Sequence, residues 1–336
     1  MYSSLKISGN TTLSTVQTGA FNGLKVKEIY LPSIGITTIQ SGAFSGLSDA
    51  LEFLNLDNNK LETMTGDSFE GLGQLKTLFL GKNQLKIMNH AWFSQLPALE
   101  YLDLSGNHLE TIPEKIFSQL TALITLYLDK NELVVITNDA FKSLNQLVHL
   151  YLNDNRLNKV SKALFRHTPA LRILKLGGNQ LRTIPDDIFN DLYQLKELSL
   201  SANGLTTVKT VWFSQLTNLE YLYLSSNKFE AIPEDAVEGL HQLKRLWLSE
   251  GSLKTLSYAL IQNKPHLKLL ALFGNPLECD YRLAWIRTVA DLLYKPTLPV
   301  PGFTALCASP PSVKGTPVVA YNISMCAAIT TEKGMS

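Results

Sequence analysis

An asparagine recurs every 24 residues through most of this 336-residue chain. The stretches at 92–114 and 212–234 repeat each other closely because they stand five such periods apart. Periods between about 20 and 50 residues are typical of architectures in which similar coils stack on one another. The chain is therefore expected to form one elongated stack of coils. The regular series is Asn59, Asn83, Asn107, Asn131, Asn155, Asn179, Asn203 and Asn227, with Asn275 two periods further on.

Leucines stand 8, 5 and 3 residues before each asparagine, as at Leu51, Leu54 and Leu56. The pattern L-x-x-L-x-L-x-x-N-x-L is the leucine-rich repeat signature. Because side chains alternate faces along a strand, Leu54 and Leu56 are predicted to point inward and Phe53 and Asn55 outward. The predicted fold is an α/β repeat solenoid: a leucine-rich repeat horseshoe with a parallel concave β-sheet and about twelve 24-residue repeats.

Two further columns are predicted to join successive coils. Buried backbone groups must be paired, and an amide side chain carries both donors and acceptors, so the asparagines are expected to satisfy the bend after each strand. Ile34 and Gly251 occupy this site in two irregular repeats. A phenylalanine ten residues after most of these asparagines is expected to fill the convex side. Its column contains Phe69, Phe93, Phe117, Phe141, Phe165, Phe189 and Phe213, preceded by Phe21 and Phe44.

The 24-residue rhythm stops after Asn275. An amphipathic helix from Asp280 to about Tyr294 is predicted there, because apolar residues follow at helical spacing: Leu283, Ile286, Val289, Ala290 and Leu293. We expect this helix to close the open end of the core as a C-terminal helical cap, since terminal repeats of a solenoid need one. The predicted domains are a solenoid at 1–274, a cysteine cap at 275–328 and a tail at 329–336.

This last segment resembles the C-terminal cysteine cap of animal extracellular leucine-rich repeat proteins. The cap pattern is N-P-x-x-C-x-C, a helix with a tryptophan, then C-x-x-P and a final cysteine. The matching positions are Asn275, Pro276, Cys279, Trp285, Cys307, Pro310 and Cys326. With its 24-residue repeat and phenylalanine column, the chain is most similar to the variable lymphocyte receptors of jawless vertebrates and to Toll-like receptor ectodomains.

The resemblance implies a disulfide between Cys279 and Cys307. Tyr281 stands where the family has its second cysteine, which leaves Cys326 without its usual partner. An odd cysteine in a secreted chain indicates a free thiol or an intermolecular bridge, so we expect Cys326 to be unpaired, while a homodimer bridged there stays open. The alternative is a cytosolic protein with three reduced thiols.

The resemblance and the disulfide predict an extracellular protein, secreted or at the cell surface. Too few residues precede the first repeat to form a secretion signal, so we expect that a signal has been removed or that the chain is a fragment. Asn322, with Ser324, is the better candidate for glycosylation, because Asn10 falls in the buried asparagine column.

Composition and motifs exclude several classes of function. The net charge is +1 and no run of five or six like charges occurs, which argues against nucleic acid and anionic membrane as partners. No apolar stretch is long enough to span a bilayer. The sequence contains no C-x-x-C, H-E-x-x-H, glycine-rich phosphate loop or G-x-S-x-G motif. We therefore expect no enzyme, no cofactor and no metal site.

The outward strand positions carry an excess of aromatic residues. Tyrosine, tryptophan and arginine dominate binding energy at protein interfaces, and tyrosine among small polar residues is typical of antibody paratopes. The alternative is that these rings only reflect strand preference and cross-strand packing. Two groups of candidate ligand-binding residues stand out. The central patch is Phe79, Tyr101, Asp103, Tyr127, Asp129, His149, Tyr151 and Asn153; the C-terminal patch is Tyr221, Tyr223, Arg245 and Trp247.

The sequence therefore predicts a non-catalytic extracellular recognition protein of the innate-immunity, pattern-recognition type. It is expected to bind a protein or glycan ligand, of microbial origin in the leading hypothesis, on its concave face. The alternative is a matrix or neuronal adhesion protein with an endogenous protein partner. The resemblance to variable lymphocyte receptors implies that the loop at 295–306, with Phe303, reaches over the concave face.

Overall fold

The computed structural model describes residues 4–9, 13–47, 50–89, 91–293 and 304–320. The chain comprises two compact units, residues 1–180 and 181–336. Each unit is built as a parallel β-solenoid with few helices, which confirms the repeat fold. The predicted domain bounds stay predictions. Outside the described residues lie Cys326, Asn322, Asn10, Phe303 and the proline-rich stretch 295–301.

The first unit contains a parallel sheet whose three-residue strands neighbour one another in chain order. The middle residue of each strand after the first is a fully buried leucine or isoleucine, while its two neighbours are partly exposed at most strands, as alternation predicts. Leu102 stands opposite Leu126 in register, and Leu126 opposite Leu150. The strands are Ser4–Lys6, Glu28–Tyr30, Phe53–Asn55, Thr77–Phe79, Tyr101–Asp103, Thr125–Tyr127, His149–Tyr151 and Ile173–Lys175.

The second unit continues the same pattern with strands Glu197–Ser199, Tyr221–Tyr223, Arg245–Trp247 and Leu269–Ala271. The connections in both units are mostly single turns closed by backbone bonds from one residue to the third before it. Most helical segments are therefore short: 3-10 turns at Ser45–Leu47, Thr210–Trp212 and Pro311–Val313, and an α-helix at Ala259–Gln262. A separate pair of two-residue strands joins Thr15–Val16 to Thr38–Ile39.

The asparagine column hydrogen-bonds as its chemistry predicts. Asn131 is buried; its Oδ1 accepts from the backbone N–H of Leu109 at 3.1 Å. Its Nδ2 donates to the carbonyls of Leu104 at 3.0 Å and Leu128 at 3.1 Å. One side chain therefore hydrogen-bonds both to the bend after its own strand and to the preceding coil. The phenylalanines of the convex column are likewise buried, and those of neighbouring coils stack, as Phe93 does on Phe117 with centroids 6.2 Å apart.

The segment after Asn275 forms a short parallel pair, Leu277–Glu278 with Cys307–Ser309, and a disulfide joins Cys279 to Cys307. The predicted amphipathic helix is present as a 3-10 helix at Tyr281–Leu292 with a break at Val289. A 3-10 helix has three residues per turn, so the apolar positions at 283, 286 and 289 fall in line; the first two are buried and the third is partly exposed.

This helix is anchored to the preceding coil by the tryptophan of the predicted cap pattern. Trp285 Nε1 donates to the carbonyl of Leu256 at 3.1 Å, and its ring lies 5.4 Å from that of Tyr258. Asp280 caps the start of the helix, where its carboxylate accepts from the N–H of Arg282 at 2.8 Å. The contacts hold the helix against residues 256–258 and stabilise its first turn.

Candidate strand-face recognition site

The strand face is the surface formed by the outward side chains of the strands, the side that the repeat predicts to be concave. In-register parallel pairing sets equivalent positions of neighbouring strands beside each other, so Asp103 lies next to Tyr127, and Tyr127 next to Tyr151. Strands are about 4.8 Å apart. The central patch is therefore brought together within the first unit, on four neighbouring strands from Thr77–Phe79 to His149–Tyr151 and the residues that follow them.

Six aromatic side chains of the first unit form one continuous ladder on the strand face. Successive centroids are 4.7, 5.5, 5.0, 5.3 and 4.2 Å apart. Tyr30 and Phe53 belong to it, although they were outside the predicted central patch. The sequence signal for them is the alternation of aromatic residues between the positions six and four residues before the asparagine. The aromatic ladder is Tyr30, Phe53, Phe79, Tyr101, Tyr127 and Tyr151.

Stacking within the aromatic ladder decides which part of each ring a ligand can meet. Tyr127 and Tyr151 are parallel within 2°, so each ring covers a face of the other. At the first end of the ladder, Lys6 Nζ lies 4.6 Å from the centre of the Tyr30 ring. Burial, and next its hydrogen bond with Tyr127, raise the pKa of Tyr101, so this phenol stays protonated. At its stacked end, the ladder therefore offers mainly ring edges and hydroxyls.

Three carboxylates line one edge of the aromatic ladder. Asp57 Oδ1 accepts from the backbone N–H of Gly81 at 2.7 Å. A Cβ on Gly81 would lie only 3.1 Å from Asp57 Oδ1 and 3.2 Å from Asp103 Oδ1, so the missing side chain lets both carboxylates approach. Burial, and next the charge of Asp103, raise the pKa of Asp57 to about 6. The same two causes raise the pKa of Asp129. We name Asp57, Asp103 and Asp129 the acidic edge.

The acidic edge was only partly predicted, since Asp57 was not among the candidate residues. The two polar residues at the far end of the central patch have partners within the protein. His149 Nδ1 lies 3.1 Å from Thr125 Oγ1, and burial together with the nearby Arg172 charge lowers the pKa of this histidine. Asn153 Nδ2 donates to Asp154 at 2.8 Å. His149 is therefore expected to be neutral at pH 7.

The opposite edge of the first-unit strands is formed by the residue that precedes each strand. In the early coils this column is charged and paired: Glu52 contacts Lys27 at 2.5 Å and Lys76 at 2.9 Å. The charged column is interrupted by Ile124 and Val148, beside the stacked end of the aromatic ladder, and resumes at Arg172. Ile124 is 37% exposed although it is apolar. We name Ile124 and Val148 the apolar edge.

The C-terminal patch is assembled within the second unit. Tyr223 and Trp247 stack with centroids 6.2 Å apart, and the Arg245 guanidinium lies 5.5 Å from the centre of the Tyr221 ring. Trp247 also meets Phe273 edge to face at 6.4 Å. Burial, and next the charge of Glu197, raise the pKa of Tyr223. This patch therefore combines two stacked rings with an exposed cation.

No cluster of three or more His, Cys, Asp or Glu side chains within the described ranges is arranged to hold a metal ion. In the parts of the chain that the structure describes, no helix has the length and apolar character needed to cross a membrane.

Comparison with known proteins identifies leucine-rich repeats along most of the chain. Leucine-rich repeat family models match residues 49–109, 106–157, 121–181, 169–229 and 218–277. A solved leucine-rich repeat protein of Leptospira interrogans is 30% identical, with a TM-score of 0.66, over 80% of this chain and 71% of its own. No curated protein matches the sequence.

Two further structures come from protein complexes. A chain of the octameric complex of latrophilin 3, Unc5D and FLRT2 is 26% identical, with a TM-score of 0.66, over 88% of this chain and 95% of its own. A chain of the Toll–Spatzle complex of Drosophila is 19% identical, with a TM-score of 0.63, over 94% of this chain. The present chain spans 57% of that Toll-complex chain, and the likeness there is one of fold. The matched models cover well over half of the sequence, and the protein belongs to the leucine-rich repeat family.

Proposed function

We propose that this protein is a non-catalytic extracellular recognition protein that binds a protein ligand through the strand face, with the central patch as its main contact. The observation that carries the proposal is the aromatic ladder. Its rings stand at outward positions, whereas the buried leucines, asparagines and phenylalanines already hold the coils together. Partly exposed tyrosines arranged beside carboxylates and an amide have the composition of a paratope.

A protein ligand is favoured over a glycan by the way the rings stack. A sugar ring binds an aromatic residue mainly by lying on its face, and in the stacked pair Tyr127 and Tyr151 each covers a face of the other. Ring edges, neutral hydroxyls and carboxylates suit the backbone amides and polar side chains of a polypeptide. Recognition of a microbial surface glycan is accordingly the second outcome that the experiment below tests.

An extracellular setting is supported by the disulfide between Cys279 and Cys307, because disulfides persist in oxidising compartments. The fold shared with a chain of the Toll–Spatzle complex, described as a hub of development and innate immunity, supports a receptor of the immune type. The resemblance to variable lymphocyte receptors in the repeat and cysteine pattern points the same way. We therefore place immune recognition first.

Adhesion is the second candidate function. It is favoured by the 26% identity to a chain of the latrophilin 3, Unc5D and FLRT2 complex, 95% of whose length is covered. In this case the strand face would bind an endogenous cell-surface protein. The two functions use the same surface and differ in the source of the partner.

The test is a binding screen of the intact protein against arrayed bacterial surface glycans, bacterial surface proteins and host ectodomains. It is repeated with a Tyr127→Ala, Tyr151→Ala double variant and with Tyr193→Ala, whose ring is exposed away from the strand face. We expect a protein ligand whose binding is lost in the double variant and kept in the control. Binding that survives the double variant would move the site off the central patch, and binding to glycans alone would replace the protein ligand.

A further inference from the structure

The central patch differs in chemistry from one edge of the strands to the other. The acidic edge lies on the side where the strands end, the apolar edge lies on the side where they begin, and the aromatic ladder runs between them. Ile124 and Asp129 are five residues apart on one coil, which is about 16 Å for extended chain. An extended segment of a partner can therefore contact both edges at once.

The negative charges of the acidic edge are not fully balanced by hydrogen bonds and cations within the protein. Asp129 Oδ1 is buried and accepts no hydrogen bond from the described residues. Lys82 near Asp57 and Lys130 near Asp129 favour the charged carboxylates, yet burial and the charge of Asp103 outweigh them. A cation brought by a ligand would pair with these carboxylates and remove that repulsion.

We propose, on the basis of the function proposed above, that the central patch binds an extended protein segment that seats an arginine between Asp103 and Asp129 and an apolar side chain against Ile124 and Val148. Arginine fits better than lysine, because its planar guanidinium can donate to two carboxylates at once. Because side chains alternate along an extended segment, the arginine and the apolar residue stand about four or six residues apart. The tyrosine hydroxyls of the aromatic ladder then face the backbone between them.

The experiment selects binders from a random peptide library displayed on phage, using the intact protein as target. We expect the enriched peptides to contain arginine and an apolar residue at that spacing. A synthetic copy of one enriched peptide is then compared with a copy in which citrulline replaces arginine, because citrulline keeps the shape and loses the charge. We expect binding of the citrulline peptide to be about tenfold weaker or more, since a charge-assisted hydrogen bond is lost.

Variants of the protein connect this loss to the acidic edge. Against an Asp57→Asn, Asp103→Asn, Asp129→Asn triple variant, the arginine and citrulline peptides are expected to bind equally. An Asp139→Asn variant changes a carboxylate on a connection between strands and is expected to keep the full difference. If the triple variant melts early, the single Asp103→Asn variant replaces it, and the difference between the peptides is expected to shrink.

The outcomes separate this inference from the proposed function. Enriched peptides that are neutral or acidic, yet lose binding to the Tyr127→Ala, Tyr151→Ala variant, would overturn the arginine site and leave the strand face as the binding surface. Basic peptides that bind the triple variant as tightly as the intact protein would also overturn the arginine site. Peptides indifferent to both sets of variants, or no enrichment at all, would overturn the arginine site and count against the proposed surface.

Discussion

Tyr127 and Tyr151 lie face to face on neighbouring strands, with ring centroids 4.2 Å apart and planes within 2° of parallel. In-register pairing sets the two residues side by side, and each ring limits the rotamers of the other. A ligand therefore meets side chains that are already ordered. Less conformational entropy is lost on binding to such a surface than to separate mobile tyrosines.

The two sides of a strand are expected to respond differently to truncation. Leu126 is fully buried between coils, so Leu126→Ala should lower the free energy of unfolding by about 2 to 5 kcal/mol. Tyr127→Ala removes a stacked but partly exposed ring and should cost about 0.5 to 1.5 kcal/mol in ring stacking plus a modest burial loss. Chemical denaturation of both variants measures the difference, and equal losses would mean that the assignment of strand faces is wrong.

Removal of one asparagine from the column is expected to destabilise far more than removal of an exposed one. Asn131→Ala leaves the buried N–H of Leu109 without a partner, while the carbonyls of Leu104 and Leu128 each lose one of two asparagine donors and keep Asn107 and Asn155. A buried polar group left unpaired costs about 1 to 3 kcal/mol, so a loss of at least that size should appear as a lower melting temperature. Asn153→Ala is the control, because it removes only an exposed bond to Asp154. If the two variants melted at similar temperatures, the stabilising role assigned to the asparagine column would be wrong.

Asp57 is expected to make the protein less stable as the pH rises. Its folded pKa is raised to about 6 from an ordinary value of 3.8, so its stabilising contribution is fully present below about pH 4 and is lost as the pH rises through 6. Asp57→Asn keeps an oxygen that can accept from Gly81 and removes the titration. The melting temperature of this variant relative to the unchanged protein should therefore rise between pH 4 and pH 7. A difference that stays constant over that range would contradict the burial and charge that we assign to Asp57.

Reduction of the disulfide is expected to destabilise the end of the second unit. Cys279 and Cys307 are 28 residues apart, and closing a loop of that size contributes about 3 to 4 kcal/mol in the chain-entropy model. A Cys279→Ser, Cys307→Ser double variant should therefore melt earlier, and a reducing agent should lower the melting temperature of the unchanged protein but not of the variant. Melting that is insensitive to the reductant would mean that the bridge adds nothing to stability.

The sequence by itself determined the coil. The 24-residue interval, the inward leucines, the asparagine ladder and the phenylalanine column follow from residue spacing, because each coil must bury the same positions against the next. The same spacing identified which residues point outward, and so it defined the central patch, without Tyr30 and Phe53 of the aromatic ladder and without Asp57 of the acidic edge. The resemblance added the cysteine pair at 279 and 307, which the structure joins.

Only the tertiary structure decided how outward side chains from different coils meet. The rings of the aromatic ladder come from two columns of the repeat, six and four residues before the asparagine. Neither column by itself indicates that these rings contact one another. Asp57 and Asp103 converge because Gly81, from a coil between them, has no side chain to keep them apart. The spacing of apolar residues at 283–293 is compatible with both an α-helix and a 3-10 helix. The structure has a 3-10 helix there. Spacing along the chain fixes what each coil buries, whereas contacts across coils depend on distances that only the assembled sheet sets.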